Sequence, residues 1–162
     1  MKRAIVILCG VCAAFMMLTS CEKEGEGENE TKISYNRDSE SHNEGQNCMS
    51  CHRQGGEGEG WFIVAGTIYK AASNSTLPNG VVELYTGPGG TGTLAYKIEV
   101  DAKGNFYTTE DIHFGNGLYP VAVGSQSRKY MSDPVTTGQC NSCHGDSTDN
   151  SWAYKANLLK GA

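Results

Sequence analysis

The chain is poor in basic clusters: 13 lysines and arginines face 18 acids, for a formal net charge of −5. That balance argues against nucleic acid as a partner. Past residue 18 no apolar run approaches the ~20 residues that span a bilayer. Methionine is scarce beyond the N-terminus, where only Met49 and Met131 remain, and the whole chain holds four histidines. The glycines of Gly55–Gly60 make no phosphate cradle, because no strand precedes them and no helix follows. What is abundant is glycine, 21 residues in 162, about twice the usual ~7% and a bias toward turns and strands.

Met1–Lys2–Arg3 followed by the apolar run Ala4–Leu18 reads as an export signal. Leu18–Thr19–Ser20–Cys21 resembles the lipobox of bacterial lipoproteins. That resemblance implies cleavage after residue 20 and a diacylglycerol on the Cys21 thiol. Removing residues 1–20 takes away Lys2 and Arg3 but no acid, so the net charge moves from −5 to −7. Residues 21–41 open with Glu22–Lys23–Glu24–Gly25–Glu26–Gly27–Glu28 and have nothing to bury, so they read as an acidic, flexible tether. No aspartate follows Cys21, so nothing resembles an inner-membrane retention signal. The expected location is the outer membrane, on its periplasmic face or at the cell surface.

Seven cysteines divide unevenly. Cys9 and Cys12 fall in the signal and Cys21 at the lipid site, leaving Cys48–Met49–Ser50–Cys51–His52 and Cys140–Asn141–Ser142–Cys143–His144. Both are C-x-x-C-H, the c-type haem attachment sequence. Two thiols add across the two vinyl groups of one porphyrin, and the adjacent histidine reaches the iron. Cys48, Cys51, Cys140 and Cys143 are therefore the expected thioether positions of two haem c groups, with His52 and His144 as proximal ligands. Disulfides would leave both histidines unexplained. A thioredoxin-like pair lacks its βαβ context, and a zinc site would have to bridge a ~90-residue gap.

Two haems need two distal ligands, and two histidines remain, His42 and His113. The simplest assignment is bis-histidine iron at both sites, with Met131 the competing ligand. Met49 lies inside the attachment loop and is not suited to the far face. Methionine opposite histidine raises a haem's potential, so bis-histidine iron is expected to lie lower. Which histidine serves which iron, in the same chain or a neighbouring one, stays open.

Between the motifs, at 42–60 and 132–162, residues 61–131 read as short strands. Trp61–Tyr69, Val81–Tyr85, Ala95–Val100, Phe106–Thr109 and Gly117–Val123 are rich in β-branched and aromatic residues and separated by turn signals. The expected fold is mainly β, a small antiparallel sandwich flanked by two haem-binding loops. Val64–Tyr69, Asn79–Leu84, Asp101–Phe106 and Gly117–Val123 resemble the carboxypeptidase-regulatory-like, transthyretin-type sandwich. That resemblance implies a first strand, a turn with a second strand, a D-x-x-G-x-F hairpin and a closing strand. It carries over no catalytic residue. Pro120 departs from the pattern and calls for an edge position.

The function expected from these features is electron transfer by an exported dihaem cytochrome that is not an enzyme. Its partners would be redox proteins or extracellular acceptors, with stacking of copies into a chain as a further expectation. Two other classes compete: a surface module whose sandwich grips a polysaccharide or protein, with structural haems, and a small haem enzyme. The enzyme would need an open coordination site and acid–base groups beside it.

Overall fold

Residues 81–85 alternate half-buried and buried positions, with Val82 and Leu84 turned inward, as the period of a strand requires. In the computed structural model, which describes residues 29–70, 75–125, 128–144 and 160–161, such segments build a small β-sandwich. The strands are β1 (Val64–Thr67), β2 (Tyr69–Lys70), β3 (Val81–Tyr85), β4 (Leu94–Glu99), β5 (Asn105–Thr108), β6 (Tyr119–Val123), β7 (Arg128–Tyr130), β8 (Gly138–Gln139) and β9 (Lys160–Gly161). A short helix, α1 (Cys140–His144), follows β8 directly.

One sheet has the order β4-β3-β6-β7 and is antiparallel throughout. The other has the order β5-β1-β8, with β5 antiparallel and β8 parallel to β1. β2 and β9 pair separately, in parallel. Val64, Ile68, Val82, Leu84, Val100 and Phe106 form the centre of the shared core. Phe106 is wholly buried, a burial that stabilises by roughly 1.5–3 kcal/mol relative to exposure. The Asp101–Asn105 turn follows the hairpin signal. Asp101 N–H donates to the Asn105 carbonyl at 2.8 Å, and Asp101 Oδ1 accepts from the Lys103 and Asn105 amides at 2.8 and 2.9 Å. Gly104 supplies the φ of +89° that closes it.

The structure differs from the sequence expectation in four places. Pro120 is not at a sheet edge: it is buried in β6, between β3 and β7. Its carbonyl accepts from Met131 N–H at 3.0 Å just past the end of β7. The N and O of a strand residue face the same neighbour, so the missing proline donor falls where β7 stops. Residues 29–41, assigned to the tether, include a segment fixed to the sandwich. Ile33 bridges Thr108, and buried Ser34 donates through Oγ to the Glu99 carbonyl at 2.6 Å. The sandwich extends beyond residue 131 through β8, which has only two residues. All three residues of β7 are exposed, so it carries no alternation to read. The signal, Cys21 and residues 145–159 of the tail lie outside the described residues. Among the described residues, no helix is long and apolar enough to cross a membrane.

All four residues of β1 are buried. A strand in the middle of a sandwich sheet ordinarily buries one face. Here both C-x-x-C-H segments come against it: α1 and the turn at Cys48–Ser50 each contact β1, and Cys140 also packs against the core.

Candidate haem-attachment site

The first motif begins as a single 3₁₀ turn, Cys48–Ser50. His52 N–H donates to the Cys48 carbonyl at 3.0 Å and Ser50 Oγ donates to the Asn47 carbonyl at 2.7 Å. The glycine-rich stretch then folds back, with Gly58 N–H donating to the Cys51 carbonyl at 3.1 Å. This return brings the Glu59 carbonyl to 2.9 Å from His52 Nδ1. A carbonyl can only accept, so Nδ1 carries the proton and the Nε2 lone pair is left for a metal. A histidine whose second nitrogen is held by a backbone carbonyl is the usual arrangement around a bound metal. Gly58 makes the close return feasible, since a Cβ there would lie 2.6 Å from His52 Nδ1. The Glu59 side chain is held in turn by Lys32 Nζ at 3.0 Å.

The His52 ring stacks on Phe62, with centroids 4.2 Å apart and planes 8° from parallel. Phe62 stacks on Tyr107 at 4.8 Å. The His42 ring is also close, its centroid 5.8 Å from that of His52 and its plane tilted by 35°. Two imidazoles sharing one metal ion through bonds of about 2 Å have ring centres about 6 Å apart. His42, Cys48, Cys51, His52, Phe62 and Tyr107 all line one cavity of about 540 Å³, within the ~300–1,000 Å³ of cofactor sites. Two thiols, two imidazoles and an aromatic wall on one cavity fit a haem.

The second motif has the same local grammar on a true helix. Ser142 Oγ donates to the Gln139 carbonyl at 2.6 Å, and each motif's serine lies 3.8 Å from the sulfur that follows it. The two motifs are side by side. Asn141 Nδ2 donates to the Gln46 carbonyl at 2.8 Å, two residues before Cys48. Burial pushes the Cys140 thiol up to about 12, with neighbouring Cys48 adding to the shift. Cys48 is also raised, again chiefly by burial. All four cysteines carry free thiols, of which Cys51 and Cys143 are exposed. Among the described residues, no three His, Cys, Asp or Glu side chains form a group that could hold a metal ion. The four thiols therefore do not meet as a zinc tetrad would require.

Thiolate is the reacting form of cysteine, so alkylation of the unmodified chain has an expected order. At pH 8, iodoacetamide labels Cys51 and Cys143 first and Cys140 last, with Cys140 slower by more than about tenfold. The gap narrows as pH rises toward 12. A thiol raised by burial adds stability that is complete below its unfolded pKa near 9 and fades as pH climbs through about 12. Peptide mass mapping after timed labelling checks the order.

The remaining sequence candidates are placed elsewhere. β5 leaves the three-stranded sheet at the Val64 end, whereas β8 runs toward the Thr67 end into α1. His113 and His144 therefore depart in opposite directions. His113 is exposed, with Nε2 3.6 Å from Asp111 and its backbone N–H donating to Tyr96 of β4 at 3.0 Å. Met131 follows β7 in the other sheet. Neither lines the cavity. The sequence reading missed the Glu59 carbonyl, which leaves no trace in residue type, and Asn141, hidden as a variable position inside its motif. Phe62 and Tyr107 were legible only as strand aromatics. Compared with family models, characterised proteins and solved structures, the chain matches none.

Proposed function

We propose that this protein is an exported, lipid-anchored dihaem c-type cytochrome that carries electrons. The observation that carries the reading is His52: its Nδ1 is held by the Glu59 carbonyl, and its ring lies 5.8 Å from that of His42 on the cavity that Cys48 and Cys51 also line. Cys48 and Cys51 would tether the first haem and Cys140 and Cys143 the second. His52 and His144 would be the proximal ligands and His42 the distal ligand of the first iron. Haem supplies a one-electron ferric/ferrous couple. With His52 and His42 both holding it, the first iron would have no open position for oxygen or peroxide, which favours carriage over catalysis.

Placing both motifs side by side against β1 supports electron exchange between the haems within a single chain. It removes the premise of one haem at each end of the sandwich, on which stacking into a chain rested. The sandwich serves as the rigid frame, and its likeness to the transthyretin-type module is part of this proposal. So are the signal, the Cys21 anchor and an outer-membrane location.

The test is a pyridine haemochrome assay with intact mass on the protein made with c-type maturation machinery. Two covalent haems per chain are expected, one after Cys48→Ala with Cys51→Ala, and none when all four cysteines are replaced. No covalent haem on the unaltered chain, with its thiols intact, overturns the proposal.

A further inference from the structure

Beneath the two motifs lies a closed network of buried amides and hydroxyls. Asn141 and Asn105 are 4% and 2% exposed, and Thr67 not at all. Asn141 Oδ1 accepts from Thr67 N–H at 3.0 Å, and its Nδ2 donates to Thr67 Oγ1 at 3.1 Å and to the Gln46 carbonyl at 2.8 Å. Thr67 Oγ1 also accepts from Gly45 N–H at 2.9 Å and donates to Asn105 Oδ1 at 2.7 Å. Asn105 Nδ2 completes the set by donating to Ser41 Oγ at 2.9 Å and to the His42 carbonyl at 3.4 Å. The Thr67 hydroxyl thus uses its one donor and both lone pairs. Buried networks satisfied in this way fix a single geometry, and deleting one member strands the others without partners.

Segment 41–46, which carries His42, is the part being held. Asn105 grips one end, and Thr67 with Asn141 grips the other. None of these contacts involves the His42 ring, whose approach to His52 depends on where the segment's backbone is fixed. We propose that Asn141, although part of the second C-x-x-C-H motif, is a positioning residue for the first haem. Acting with Thr67, it holds segment 41–46 so that His42 meets the first iron. This inference rests on the dihaem reading and adds a coupling to it: the residue between Cys140 and Cys143 bears on the ligation of the other haem.

The experiment uses the haem-loaded protein and three variants: Asn141→Ala, Thr67→Val, which keeps the shape and loses the hydroxyl, and Thr67→Ser, which keeps the hydroxyl. Intact mass first counts the haems. Low-spin content and carbon monoxide binding by ferrous protein then report distal ligation, and amide exchange at Gly45 reports the segment itself. Asn141→Ala and Thr67→Val should keep two haems, convert the first site to high spin and bind about one more carbon monoxide per chain than wild type. Their Gly45 amide should exchange at least about tenfold faster. Thr67→Ser should stay close to wild type in all three readouts, which a general loss of packing would not predict. Wild-type ligation and Gly45 exchange in both Asn141→Ala and Thr67→Val overturn the inference. An unaltered chain without covalent haem overturns the dihaem reading instead, and the Gly45 exchange still decides whether the network pins the segment.

Discussion

Replacing His42 with alanine should convert one of the two haems from low spin to high spin and leave the other unchanged. The His42 ring lines the same cavity as His52, at 5.8 Å between centroids. In the proposed dihaem protein its loss would leave the first iron with His52 alone. The low-spin signal of the first haem should disappear, and the ferrous protein should gain one carbon monoxide site. Folding stability should hardly move, because His42 is exposed and surface substitutions usually cost within ~0.5 kcal/mol. His113→Ala is the matched control and should leave both spectra as they were, since that side chain lies beside Asp111. The assignment fails if the two variants exchange roles.

Gly138→Ala should be among the most damaging single-methyl changes in the chain. A Cβ at residue 138 would lie 2.1 Å from the Ile63 carbonyl oxygen and 2.5 Å from Val64 Cα. Both are backbone atoms of the neighbouring strand and cannot rotate away. Overpacking of this kind costs about 1–3 kcal/mol, and the upper end is expected here. β8 pairs with β1 through only two residues, so the strand should lift off rather than distort the sheet. α1 follows β8 directly, and the Asn141 contacts with Thr67 and Gln46 would go with it. Denaturant unfolding should show the loss, and Gln139→Ala, an exposed neighbour, should show almost none. A Gly138→Ala protein as stable as wild type would mean that β8 does not dock as described.

The sandwich was legible because its strands declare themselves chemically. Val81–Tyr85 alternates, and Asp101–Asn105 carries a turn that only a glycine at position 104 closes well. β8 was not legible, since two residues show no period and a parallel partner gives no hairpin signal. The same gap explains the site. C-x-x-C-H names four thiols and two histidines by spacing, but spacing says nothing about where residue 48 stands relative to residue 140. That relation is set by β8 and by amides on the sheet face. His42 and His113 were equivalent as symbols in a sequence. They differ because segment 41–46 is anchored on Thr67 and Asn105, whereas the chain after β5 leaves at the opposite end of the sheet.

The parallel pairing of β8 with β1 also imposes an order in time. Thr67 and Asn141 are 74 residues apart, while β3 and β4 are joined by a short connection. Closing the longer loop costs about 2 kcal/mol more conformational entropy, so β8 is expected to dock after the β3–β4 hairpin has formed. Until it docks, Cys140 sits on open chain and its thiol is as accessible as any other. Once it docks, burial makes that thiol the least reactive of the four. Haem attachment at the second motif, as proposed, would therefore be a race against completion of the fold, and the alkylation order described above, followed during refolding, measures how long the window stays open.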